Sequence, residues 1–353
     1  MTKAAELAKM GEVITNSQIG GRRNVIINGG MTIAQRSTSS TSTGYASLDR
    51  FNVNSGNLDE LAFTQAQVDD APDDSGLKKS FKFTVTTAES ALASNEYLRM
   101  FQSIEGQDIQ HFKWGTSSGE EVTASFYVKS SITGTFACSI YVFDANVIMN
   151  KPYTISSADT WERKTLTFPA YTAGGSKTPT NDSTAGIYLQ FGLISGSNYN
   201  TQINDWTAYG SGANLLGGQT ANVGAVNSTT WQITGLQLEV GSVATPFEHR
   251  SVGEELVLCS RYFYKSGNLS LCIANANTTG YSFREERTQI HTFPTVMNSA
   301  PSITLVENAK ALSAGSVTTY SNTDIVMIKP TDYAGDLPSG NYWYGGYTAD
   351  AEI

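Results

Sequence analysis

The chain has 353 residues, of which 40% are hydrophobic and only 16% charged, and a formal net charge of −9. The charged share lies well below the ~25% of ordinary soluble domains, so Ser, Thr, Asn and Gln must solvate the surface, which suits β-rich proteins and excludes long solvated helices. The acidic balance excludes a general nucleic-acid binder, which needs a positive field to recruit phosphates.

No apolar run approaches the ~18 residues of a membrane span, so no membrane insertion is expected. The opening MTKAAELAKMGEV lacks the apolar core of a signal peptide. Cys138, Cys259 and Cys272 form no CxxC pair and share no metal-ligand spacing with His111, His249 or His291. No metal, cofactor or disulfide framework is therefore expected, and Cys138, inside an apolar alternation, reads as a small core residue. A chain of this kind suits assembly in a reducing cytosol.

Taken in chain order, residues 1–15 are the one helical stretch. Ala4, Leu7, Gly11 and Ile14 form an apolar stripe, but two turns cannot hold alone and need a partner surface. Lys3, Lys9, Arg22 and Arg23 make this segment basic within an acidic chain, which suits anchoring on an acidic partner. Val25–Ile27 then meets Asn28-Gly29-Gly30, a turn signal between two strand-like pieces. The Ser/Thr tract STSSTSTG at 37–44 reads as a linker, so the first domain boundary is expected at residues 44/45.

From 45 to 252 the period is two. Val122, Ala124, Phe126 and Val128 alternate with Thr123, Ser125, Tyr127 and Lys129. Phe136, Cys138, Ile140 and Val142 alternate with Thr135, Ala137, Ser139 and Tyr141, and Ile187, Leu189, Phe191 and Leu193 with Tyr188, Gln190 and Gly192. Each run is a half-buried antiparallel strand, as are the shorter runs at 81–85 and 166–168. Between Trp231 and Val240 the apolar parity changes at Gly235, as a β-bulge would require. Many short strands separated by turn residues predict a β-sandwich. Trp161 and Trp231 head strand-like runs and are assigned to the core. Two long loops interrupt the pattern, at 172–184 and 195–218. Strand-like runs at 281–283, 303–305, 325–327 and 342–344 predict a smaller β domain over 253–353.

Three segments carry a family resemblance: NVIINGGMTIAQRSTS with GYASLDRF, IEGQDIQHFKWGTSSGEEVTASFYVKSSITGTF, and WQITGLQLEVGSVATPFEHRSVGEELVLCSRYFYKS. Together they span most of residues 24–266, and they resemble tail-fibre and minor structural proteins of marine and cyanobacterial phages. The resemblance implies an all-β protein with a central jelly roll like those of carbohydrate-binding domains. It implies a homo-oligomer, by analogy a trimer, on the surface of a virion and in contact with other tail or capsid proteins. It further implies attachment to a host surface glycan as a tail fibre or fibre adaptor. Decoration of the capsid or a head fibre is the alternative.

No GxSxG, HExxH, P-loop or GxGxxG occurs, and no enzymatic activity is expected. A glycan depolymerase would need paired carboxylates. Asp69, Asp70, Asp73 and Asp74 are the place to look, although VDDAPDDSG reads as a solvated loop and lacks EF-hand spacing. The 17 Tyr and 5 Trp are more informative, because an aromatic ring offers an apolar face with a polar edge. Tyr199, Trp206 and Tyr209 cluster on the second long loop, and Tyr342, Trp343, Tyr344 and Tyr347 near the C-terminus. Either cluster fits glycan stacking or contact between subunits.

Overall fold

The computed structural model describes residues 23–353 other than 173–177, 202–204, 210–213, 268, 274–288, 312–315 and 332–340. For 270–273, 309–311, 316, 329–331 and 341–344 it describes the backbone alone. The helix expected over residues 1–15, and with it Lys3, Lys9 and Arg22, lies outside the described residues. The chain folds as two compact units, the first ending at Ser251 and the second spanning Val252–Ile353.

In the first unit the strands are β1 (Ser39–Ser40), β2 (Asn52–Gly56), β3 (Ala62–Val68), β4 (Ser80–Thr87), β5 (Tyr97–Glu105), β6 (Val122–Ser130) and β7 (Gly134–Phe136). They continue with β8 (Cys138–Val142), β9 (Val147–Asn150), β10 (Tyr153–Ile155), β11 (Glu162–Phe168), β12 (Ala185–Ser195), β13 (Thr207–Ala208) and β14 (Thr230–Val240). They form two six-stranded antiparallel sheets, in the orders β1-β3-β4-β14-β6-β11 and β13-β9-β8-β12-β5-β2, with β10-β7 as a separate pair. This is the all-β antiparallel sandwich that the alternation predicts. The apolar parity of each strand points between the sheets. Val122, Ala124, Phe126 and Val128 from one sheet join Cys138, Ile140, Val142, Ile187, Leu189 and Phe191 from the other in one buried cluster.

The bulge expected at Gly235 is present. The β14–β6 register slips between Thr234 and Gln237, and Gly235 has φ +62°, a conformation that costs a Cβ-bearing residue roughly 1–2 kcal/mol. The slip lets Trp231 and Ile233 before it, and Leu236 and Leu238 after it, all reach the core at 0% exposure.

The boundary expected at 44/45 is corrected. Ile26, Met31 and Ile33 are buried, and β1, inside the Ser/Thr tract, pairs with β3. Asn28 makes the expected turn at φ +61°, and its amide bonds the carbonyls of Ile33 and Asp49. The flanks of that turn are not strands. Val25 N–H instead bonds Leu238 C=O at 3.1 Å and Leu236 N–H bonds Gly29 C=O at 3.0 Å. A Cβ on Gly29 would lie 2.1 Å from the Leu236 carbonyl oxygen, so only glycine lets the segment lie this close. The end of the unit clamps its start: Glu248 accepts the N–H groups of Arg23 and Asn24, while Arg250 donates to the carbonyls of Asn24 and Ile26.

The second unit opens with helix α1 (Val252–Ser260), which the sequence pattern does not announce. Among the described residues it is otherwise all-β: β15 (Phe263–Lys265), β16 (Leu269–Ile273), β17 (Gln289–Thr292), β18 (Ser302–Ala311), β19 (Ser316–Ser321), β20 (Ile325–Thr331) and β21 (Asn341–Asp350). β21 is flanked by β18 on one edge and by β15 and β16 on the other, and β17-β20-β19 make a second sheet. Its core contains Phe293, Met297, Val326, Ile328, Tyr347 and Ala349.

Candidate aromatic binding face

In a sandwich, residues of one parity fill the core and residues of the other face outward. On the second sheet the outward parity is aromatic and amide-rich. β5 contributes Tyr97, Arg99 and Phe101; β12 contributes Tyr188 and Gln190; β8 contributes Tyr141; β2 contributes Asn54. The register sets Tyr188 opposite Tyr141 across β12–β8, Gln190 opposite Phe101 across β12–β5, and Asn54 opposite Arg99 across β2–β5.

The rings form a connected platform. Phe101 stacks on Tyr188 with centroids 4.5 Å apart, and Phe143, at the turn after β8, meets Tyr188 at 4.6 Å and Tyr141 at 4.9 Å. Tyr97, Tyr141 and Tyr188 are half-buried; Phe143 is 37% exposed. Burial raises the hydroxyls of Tyr141, Tyr188 and Tyr209 above their ordinary value, so at neutral pH they are neutral donors.

The described parts of the long loop, at 195–201, 205–209 and 214–218, pack against one end of this face. Gln190 and Ser139 donate to the Leu215 carbonyl, and Asn150 to that of Asn214 at 3.0 Å. Leu215 and Leu216 are buried with Ala137 beneath Tyr97, Tyr199 and Tyr209. Two aromatics singled out in the sequence thereby reach the platform: Tyr199 meets Tyr97 edge-on at 5.0 Å, and Tyr209 lies 4.9 Å from Tyr141.

Trp206 does not join them. It turns back against Trp114 at 5.1 Å and Tyr171 at 5.5 Å and donates to the Pro169 carbonyl, which makes it the anchor of the loop. Tyr347 is likewise not at a surface. It is 1% exposed, ringed by Tyr264, Phe293 and His291, and burial pushes its hydroxyl up. The strand carrying Tyr342, Trp343 and Tyr344 is described, but their side chains lie outside the described residues. Of the four basic residues only Arg23 is described, and it pairs with Glu248 within its own unit. Trp231 is buried as expected. Trp161 is corrected to a half-buried surface position, where Lys129 lies 4.9 Å above its ring and its N–H bonds Asp70.

The acidic loop is held by lysines. Asp69 pairs with Lys79 at 2.6 Å and Asp70 with Lys129. Burial alone would raise the Asp70 carboxyl, but Lys129 and the Trp161 N–H outweigh it and hold it below its ordinary value. A general acid needs the opposite shift. Among the described residues, Asp59, Glu89 and Glu96 converge closely enough to hold a cation. Glu89 and Glu96 already accept the N–H groups of Glu60, Leu61 and Ala93, which gives them a structural role.

Comparison with family models and with curated protein sequences finds no match. Among solved structures, the chain is similar to the enzymatically active domain of bacteriophage CBA120 tailspike protein 4, at 13% identity and a TM-score of 0.34. That likeness covers 62% of this chain and 21% of the tailspike chain, about a fifth of its length. It is also similar to the family 11 carbohydrate-binding module of Lic26A-Cel5E from Clostridium thermocellum, at 10% identity and TM-score 0.30, covering 59% of this chain and 96% of the module. A third likeness is to the CBM22-1 xylan-binding domain of Paenibacillus barcinonensis Xyn10C, at 9% identity and TM-score 0.28, covering 63% and 96%. At TM-scores this low, these likenesses define neither the activity nor the assembly of this chain.

Proposed function

We propose that the chain is a glycan-binding structural subunit of a phage particle, a tail fibre or fibre adaptor that attaches the particle to the host surface. The observation that carries the reading is the platform of Tyr97, Tyr141, Phe143 and Tyr188, backed by the buried ring of Phe101, on the outer face of one sheet. Rings of this kind take the C–H face of a sugar, and the partly exposed amide of Asn54 beside them can bond its hydroxyls. The sequence resemblance supports a particle of this origin, and it supports a homotrimer. Repetition of one modest site on linked copies would raise avidity by ~10²–10⁴-fold where geometry permits. The chain acts by binding and not by catalysis, a reading supported by the lysine pairing of Asp69 and Asp70.

Adhesion to whole cells tests this. Labelled full-length chain should bind the bacterium that the particle infects, and periodate oxidation of the cell-surface glycans should abolish that binding. Binding that survives periodate but is lost after protease treatment of the cells would move the receptor from glycan to protein.

A further inference from the structure

Arg99 sits in the middle of the aromatic face as its central cation. Its guanidinium lies over Phe101 at 4.9 Å and beside Tyr97 at 5.9 Å. Its Nε donates to Asn54 Oδ1 at 3.2 Å and its Nη1 to Gln190 Oε1. Both acceptors are neutral amides, and each is fixed from elsewhere: Asn54 also accepts the Tyr97 hydroxyl, and Gln190 is held by Leu215. Among the described residues no carboxylate hydrogen-bonds or ion-pairs with Arg99. Nearby on its own strand, Glu105 is buried and engaged by Gln107. The covering loop carries one acid between Asn198 and Gln219, the exposed Asp205, whose carboxylate caps the Trp206 N–H.

A guanidinium keeps its proton in any protein environment, and a charge withdrawn from water is normally paired. Here acids outnumber bases by 32 to 23, yet the ionisable neighbours of Arg99 are the phenols of Tyr97, Tyr209, Tyr188 and Tyr141, and desolvation works against its charged form. Among the described residues, two of its five N–H groups have acceptors and three have none. A fork of this kind, stacked on an aromatic ring, matches the geometry of an oxyanion.

We infer that the face takes an anionic glycan, whose carboxylate or sulfate supplies the counter-ion that no described residue gives Arg99. The inference rests on the glycan-binding reading and narrows it: the rings hold the sugar and Arg99 selects for its charge. A uronic acid and a sulfated sugar share this chemistry, and the probes below separate them.

The test is calorimetric titration of the unaltered full-length chain with matched pairs of polymers. One pair is an oligogalacturonate and its carboxyl-reduced counterpart; the other is a sulfated galactan and its desulfated form. At least one anionic member should bind ~10-fold or more tightly than its neutral partner, with the preference shrinking as salt rises. Whichever pair shows the preference names the anion. Arg99→Gln should remove the preference and leave weak binding of the neutral form, whereas Tyr188→Ala should weaken both members alike. Equal binding of charged and neutral members would overturn the inference and leave the glycan reading standing. Should every polymer of both pairs fail while host polysaccharide still binds, the anion inference is again overturned. If no glycan binds at all, both readings fail together.

Discussion

The indole of Trp206 meets that of Trp114 edge-on, with centroids 5.1 Å apart and planes at 68°. This contact turns an aromatic residue of a surface loop into a packing anchor. Trp206→Ala should therefore lower unfolding stability by about 2–4 kcal/mol, read as a shifted midpoint in urea with an unchanged slope. A midpoint within experimental scatter of the parent would mean that the loop does not depend on this contact.

The clamp between Glu248 and the start of its unit predicts an acid-sensitive element. Burial would raise the Glu248 carboxyl, but the N–H groups of Asn24 and Arg23 and the charge of Arg250 hold it below its ordinary value. A folded value below the unfolded ~4.3 stabilises the chain above that pH, and the contribution is lost as pH falls through the folded value. Glu248→Gln should cost roughly 1–3 kcal/mol at pH 7 and should make the thermal midpoint fall less steeply between pH 5 and 3. Parallel acid limbs for the two proteins would contradict this.

Gly235→Ala should destabilise the sandwich by roughly 1–3 kcal/mol. The positive φ strains any side chain, and the new Cβ would lie 2.8 Å from Leu77 Cδ1 and 3.1 Å from Tyr127 Cδ2. Chemical denaturation measures it, and an unchanged midpoint would show that the bulge relaxes without cost.

Residues 23–44 belong to the first unit, so a truncation that probes the basic N-terminus should remove 1–22 and no more. Light scattering of the full-length chain should give the mass of three chains. Removal of 1–40 should unfold the sandwich, because it takes Ile26, Met31 and Ile33 out of the core, whereas removal of 1–22 should leave it folded. A monomeric full-length chain would contradict self-assembly, and a stable fold without 1–40 would contradict the packing of this segment.

The core parity of the sandwich was legible because the strands facing it alternate cleanly, and Gly235 showed its bulge as a change of parity. The strand Tyr97–Glu105 was not legible. Its outward positions carry Phe101 and Arg99 beside inward Leu98 and Met100, so apolar residues occupy both parities and the period of two disappears. The same property makes it the centre of the candidate face. Tyr141 and Tyr188 were visible as polar-side residues of predicted strands, but pairing between strands distant in sequence was needed to place them together. Tyr199 and Tyr209 were singled out because a flexible loop has no need of aromatic rings; Trp206 shared that signal and serves packing instead. Helix α1 escaped because its nine residues show no apolar stripe, with Leu256 and Val257 both exposed and one buried face carrying Glu255 and Cys259.

The most direct test of glycan binding at the aromatic face is exposure of the full-length chain to an array of bacterial surface polysaccharides, beside a Tyr141→Ala/Tyr188→Ala double variant of confirmed fold. Both tyrosines are half-buried on the outer face and lie outside the core between the sheets, so their loss should leave the sandwich intact. The parent should bind a defined subset of polysaccharides, and the variant should bind the same subset ~10-fold or more weakly. Undiminished binding by the folded variant would place the glycan site elsewhere on the chain, and absence of binding by the parent would remove the glycan reading altogether.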